Sequence, residues 1–357
     1  MFHLYLRNTD THLACLYSSS KAHKILKIEI RDCWGLTAAG LKALERCSGL
    51  KSFKLWVGYA PAVVKELAQT QWQCFKTLER IELQSCRVDP DCISAISSQC
   101  PGLKELTISL DKNNIKISDA PADETVKRLC EEMPGLEVLC LNWATDLSQT
   151  GLAHIKSLTN LCSLEIRWFH HTDALLAVLA KMPSLRKLSL TEGSGLTAAG
   201  SKHFKGGLAK LTELELGECD VTDENLACLC GMKHLQKLHL DDGVTDQGLA
   251  HLQGLTSLQD LSIWSWCSIT DAGLAHLSRM PLLKFSLIGA DVEITDAGLD
   301  SLHCFSELEE LELWNLNLIT EEGVERVLAA CKKIKKVRCD GELFSEKYCD
   351  SLEARGF

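Results

Sequence analysis

Apolar residues recur along this chain in the phrase L-x-x-L-x-L, with other apolar residues replacing some leucines. The phrase begins at Met1, Ile25, Leu50, Leu78, Leu103, Leu136, Leu161, Leu185, Leu211, Leu235, Leu258, Leu282, Leu308 and Ile334. Successive starts lie 23 to 33 residues apart and average about 25.6, a period that signals stacked structural repeats. The best-kept units, LQKLHLDDGVTDQGLAHLQG from Leu235 and LQDLSIWSWCSITDAGLAHLSR from Leu258, have two halves. In the first, Leu238-His239-Leu240 alternates apolar and polar side chains, as a strand buried on one face does. The second is helical: Thr245-Asp246 and Thr270-Asp271 cap a first turn, and Leu249/Leu252 and Leu274/Leu277 form one apolar stripe. Gly248 and Gly273 stand where that helix must pack closely on a neighbour, and Pro101, Pro134, Pro183 and Pro281 stop helices just before the next strand.

A single unit of this kind cannot bury its apolar face, so the units must stack. The predicted fold is α/β, a horseshoe solenoid of about 14 repeats with a concave parallel sheet and convex helices. A chain of 357 residues would ordinarily divide into two or three domains, but continuous repetition predicts one domain over 1–357, with 341–357 as a C-terminal cap. Ser345 to Arg355 reads as an amphipathic helix with Tyr348 and Leu352 on one face. At the other end the first phrase starts at Met1 and turns Leu4 and Leu6 inward, so another domain of a longer parent protein is expected to cover it.

Composition narrows the possible roles. A formal charge of −10 argues against general phosphate-backbone binding and removes nucleic acid as the expected partner. Neither a secretory leader nor an 18-residue apolar run is visible, so no membrane role is expected and the setting is a reducing cytoplasm, with the nucleus also open. The 18 cysteines need an explanation in that setting. Cys33, Cys86, Cys219 and Cys267 follow strand ends, while Cys47, Cys100 and Cys331 share one helix-end slot with Met133, Met182 and Met232. Exchange of Cys with Met at one stacked position points to packing. No C-x-x-C, P-loop, G-x-S-x-G, H-E-x-x-H or G-x-G-x-x-G phrase occurs, so no metal, cofactor or catalytic residue is predicted.

The unit L-x-x-L-x-L-x-x-C-x-x-[IL]-T-D-x-G-L-x-x-L, kept in Cys219-Asp220-Val221-Thr222-Asp223 and Cys267-Ser268-Ile269-Thr270-Asp271, resembles the cysteine-containing class of leucine-rich repeat. That class is familiar from F-box substrate receptors, and the unit is also similar to the GALA-type repeats of bacterial effectors. The resemblance implies non-enzymatic protein recognition, first as the substrate-recognition part of a ubiquitin-ligase system. Its alternatives are the ligand-sensing or autoinhibitory domain of a NOD-like innate immune receptor and a bacterial effector. The chain departs from the pattern around Trp56–Glu66 and Asp111–Thr125, where Thr-Asp-x-Gly is lost, and a direct link to a ubiquitin-ligase core through an F-box segment is not expected within these 357 residues.

Side chains flanking the inner leucines project from the concave sheet. There Glu213, Glu215, Asp241, Asp260 and Glu312, interrupted by Lys237 and Lys284, predict an acidic face that would attract a protein partner with a basic surface. Trp56, Trp143, Trp168, Trp264 and Trp314 fall just after the last apolar residue of a strand, and Trp266 follows closely. Exposed tryptophans are common interface anchors, although these could instead pack against one another along the sheet. Trp264 and Trp314 share one register two repeats apart, and Trp168-Phe169-His170-His171 makes an aromatic turn in which His170 is a contact candidate.

Overall fold

A computed structural model describes residues 2–7, 10–31, 37–56, 73–110, 122–264, 268–289, 293–339 and 344–356. Cys33, Trp34, Trp72, Trp266 and Cys267 lie outside the described residues, as do the side chains of Leu4, Leu6 and Cys86. The chain divides into two compact units, Met1–His170 with Met182–Ser184, and His171–Lys181 with Leu185–Phe357.

The first unit holds parallel strands β1 (Phe2–Arg7), β2 (Ile25–Arg31), β3 (Ser52–Trp56), β4 (Arg80–Arg87), β5 (Glu105–Ser109), β6 (Val138–Asn142) and β7 (Ser163–Phe169). The second holds β8 (Lys187–Gly193), β9 (Glu213–Gly217), β10 (Lys237–Asp241), β11 (Asp260–Trp264), β12 (Lys284–Ile288), β13 (Glu310–Trp314) and β14 (Lys336–Cys339), again parallel and in chain order. Register carries the repeat directly: Leu238 pairs with Leu261, Leu261 with Phe285, and Phe285 with Leu311. These inner side chains are at most 2% exposed, and the helix residues Leu249, Leu252, Leu274 and Leu277 are likewise fully buried. Burying an aliphatic or aromatic side chain is worth roughly 1.5–3 kcal/mol, so this ladder is the main stabilising term. The other face of each sheet, called the open face below, presents the residues between the leucines.

The Thr-Asp-x-Gly phrase explains how successive helices lock together. Thr270 caps its own helix, Asp271–Leu277, by accepting a hydrogen bond from Ala272 N–H. It also donates its N–H and hydroxyl to Asp246 of the preceding helix, at 2.9 and 2.7 Å. Thr295 repeats the arrangement on Asp271, and Thr320 on Asp296. The glycine makes room for the carboxylate: a methyl at Gly273 would sit 2.1 Å from Asp246 Oδ1, and one at Gly298 2.2 Å from Asp271 Oδ1. Where one repeat lacks the aspartate, the next lacks the glycine. Ala198 stands in place of Asp, and Asn225 then fills the vacated space, accepting from Thr222 N–H and O–H and donating to the buried Ser201 hydroxyl.

Cys47, Cys100 and Cys331 are at most 3% exposed and Met133, Met182 and Met232 at most 6%, so the shared slot is a core position. Burial pushes the Cys47 thiol up to about 11 and those of Cys100 and Cys219 to about 12. Such groups stay protonated and pack as small hydrophobes. Cys219 donates weakly to the Leu190 and Gly217 carbonyls at 3.2 Å. The last helix, Glu346–Ala354, buries Tyr348 and Leu352 and is capped by Ser345.

Candidate binding face

On each repeat of the second unit the open face offers three positions, and the paired register aligns them into rows. The first row reads Lys187, Glu213, Lys237, Asp260, Lys284, Glu310 and Lys336. Its charges alternate and pair: Glu213 lies 2.9 Å from Lys187 and 3.6 Å from Lys237, and Glu310 lies 2.8 Å from Lys284 and 3.6 Å from Lys336. The hydrogen bond from Lys284 holds the Glu310 carboxyl below its usual range. The second row reads Ser189, Glu215, His239, Ser262, Ser286, Glu312 and Arg338. Here Ser189 donates to Glu215, and Arg338 pairs with Glu312 at 2.7 Å.

This arrangement adds Lys187, Lys336 and Arg338 to the interruptions expected at Lys237 and Lys284, so the face is more evenly mixed in sign than expected. Glu213, Glu215, Asp241, Asp260, Glu310 and Glu312 stand among Lys187, Lys237, Lys284, Lys336 and Arg338. The acids that stand out in the sequence are real open-face residues, but Lys187, Lys336 and Arg338 occupy the same register and were overlooked. Extending the alignment to the repeats that start at Leu185 and Ile334 would have found them. Long-range steering of a basic partner therefore loses its basis, and local unpaired carboxylates matter instead.

Asp260 is the clearest of these. Among the described residues no hydrogen bond or ion pair is made to its carboxylate, and burial raises its pKa above the ordinary value, with Glu310 and Glu312 adding to the effect against Lys284 and Lys237. It lines a pocket of about 180 Å³ with Ser262, Lys284, Phe285, Ser286, Glu310 and Glu312. Ser262 and Ser286 stand in the second row between the longer side chains of His239 and Glu312, which leaves space over them.

The third row contains Asp241, Trp264, Ile288 and Trp314. Trp264 is 42% exposed, with His239 edge-on at 4.4 Å, and His239 Nε2 is 3.0 Å from Asp241. Trp314 is half-buried.

In the first unit Trp56 is exposed under the Arg31 guanidinium, 5.5 Å from the ring centroid, a cation–π distance. Trp143 and Trp168 stack face to face, with centroids 3.9 Å apart and planes 6° from parallel. The rings thus pack on each other along the sheet, and Trp143 stays exposed. Both have left-handed backbones, φ 54 and 51°, a conformation rare for bulky residues. His170 is exposed beside this turn. No group of three or more His, Cys, Asp or Glu among the described residues could hold a metal ion, and no helix among them is long and apolar enough to cross a membrane.

Fold and repeat together define the leucine-rich repeat architecture. A family profile described as "Leucine Rich repeat" matches residues 207–230. F-box/LRR-repeat protein 4 of Bos taurus is 30% identical over 184 residues, which covers 47% of this chain and 27% of the relative. The chain thus spans about a quarter of that protein's length. Among solved structures, the Rad7 and Elc1 complex in yeast matches with a TM-score of 0.58 and 15% identity, over 95% of this chain and 81% of that one. An internalin (inlF) from Listeria monocytogenes str. 4b F2365 matches with a TM-score of 0.50 and 17% identity, over 88% and 80%. At these identities the structural likeness is one of fold.

Proposed function

We propose that this protein is a non-enzymatic recognition module that holds a protein substrate for a ubiquitin-ligase system, using the open face of its second unit. The observation that carries the reading is the 30% identity to an F-box/LRR-repeat protein across 184 residues, in a chain whose exposed Trp264 and half-buried Trp314 line one row of that face. Exposed aromatics beside charged residues are the usual make-up of an interface hot spot. Buried, unbridged thiols suit work in the cytoplasm or nucleus.

The test is proximity labelling in cells that make the protein, with wild type compared against Trp264→Ala/Trp314→Ala, followed by mass spectrometry of ubiquitin remnants. The expected result is a set of proteins labelled only by the wild type, whose ubiquitin modification falls when the protein is depleted. Identical labelling by the variant would remove the proposed face. Partners lost with no change in their ubiquitin modification would leave recognition standing and remove the ligase role.

A further inference from the structure

The pocket around Asp260 deepens that reading and rests on it. It sits between two rows of the open face, with Ser262 and Ser286 below, Asp260 at one side and Glu312 at another. Three carboxylates line it against one ammonium, that of Lys284, which Glu310 already engages at 2.8 Å. Glu312 is held on its outer side by Arg338, in a pair with side chains 51% and 23% exposed. Such a solvent-facing pair is weak and can share its acceptor. Asp260 alone among the three is left without a donor by the described residues.

Two residues along the strands, Trp264 and Trp314 flank Ile288 in the third row. Their backbones are two strand spacings apart, roughly 10 Å, with the Ile288 side chain between them, so the row presents an apolar strip beside the pocket.

We propose that this pocket takes the guanidinium of an arginine from a bound protein partner, while Trp264 and Trp314 grip the residues next to it. A guanidinium is planar and forked, so it can meet carboxylates on two sides of the pocket and the serine hydroxyls beneath. It is also less strongly hydrated than an ammonium and stacks on indole faces, which suits a half-buried carboxylate beside two tryptophans. Removing the guest leaves Asp260 desolvated without compensation, and its raised pKa agrees with that.

Short peptides randomised at every position except a central Arg, Ala or Glu, passed over the immobilised full chain, provide the test. Wild type is expected to retain the Arg-centred set about tenfold better than the Ala-centred set, and the Glu-centred set least. In Asp260→Asn/Glu312→Gln that preference should collapse to about twofold or less. Thermal melting checks the fold of the variant, and if the double variant melts early, Asp260→Asn alone is read in its place. Equal retention of Arg-centred and Ala-centred peptides by wild type overturns the proposal, as does an arginine preference that survives both substitutions. If Trp264→Ala/Trp314→Ala loses its labelled partners in cells while the peptides show no arginine preference, recognition stands and the arginine pocket falls.

Discussion

Two edges of the same repeats obey different rules. Along the helix N-termini of the second unit one arrangement recurs: Asp246 receives Thr270, Asp271 receives Thr295, Asp296 receives Thr320, and a glycine clears space for each carboxylate. On the open sheet face the strands β10, β11 and β12 read Lys-His-Asp, Asp-Ser-Trp and Lys-Ser-Ile at the corresponding positions. Only the first of those positions keeps an order, the alternation of charge. Stacking geometry is identical from repeat to repeat, so groups that bridge helices must repeat with it. A face that meets solvent or a partner has no such constraint, and chemistry specific to this protein collects there.

The place where the helix edge departs from its rule offers the strongest test. Asn225, 2% exposed, replaces the glycine because Ala198 leaves out the aspartate, and its amide makes three hydrogen bonds. Asn225→Gly should cost about 2–3 kcal/mol by orphaning Thr222 and Ser201. Ala198→Asp alone should cost about 1–3 kcal/mol by driving a carboxylate into the space Asn225 fills. Combined, the two rebuild the arrangement seen at Asp246 and Gly273, and urea unfolding should show a favourable coupling of at least about 1 kcal/mol. Simple additivity would mean that Asp and Gly do not answer one another, and the contrast between the two edges would lose its basis.

That contrast also separates what was legible in the sequence from what was not. The strand and helix halves, the Thr caps, the packing role of Gly248 and Gly273 and the buried Cys/Met slot all follow from residues that recur at a fixed period, because each is set by contact with a copy of itself. The partnership of Asp with the next repeat's Thr was not read, since a hydrogen bond between residues 24 apart leaves no trace within one unit. On the open face the register of Trp264 and Trp314 was legible from the period. The lysines of that face were legible from the same period, but the depression over Ser262 and Ser286 was not, because it depends on which side chains become neighbours across three strands.

A smaller effect is expected at the aromatic turn of the first unit. Trp143 adopts φ 54°, which costs a non-glycine residue about 1–2 kcal/mol, while its stack on Trp168 returns about 0.5–1.5 kcal/mol. Trp143→Gly removes both, so the urea midpoint should shift by the equivalent of less than about 1 kcal/mol. A loss above about 2 kcal/mol would show that the ring serves stability. Near-neutrality would mean that a strained backbone carries an exposed ring for some other use, which is how strain is distributed at binding sites.

The smallest effect should come from the charge ladder itself. Lys284 and Glu310 are 2.8 Å apart, but their side chains are 48% and 28% exposed, so water screens the pair. Exposed pairs of this kind are worth about 0–1 kcal/mol. Glu310 also has Lys336 at 3.6 Å on its other side to take over when Lys284 is removed. Lys284→Ala should therefore lower stability by less than about 0.5 kcal/mol, within the scatter of urea titrations. Its absence would still expose the pocket's carboxylates, since among the described residues Lys284 is the one ammonium lining that pocket. Retention of Arg-centred peptides should then rise while stability stays level. A stability loss above about 2 kcal/mol would place the alternating row among the groups that hold the repeats together, and the open face would have to be read as structure in the same sense as the helix edge.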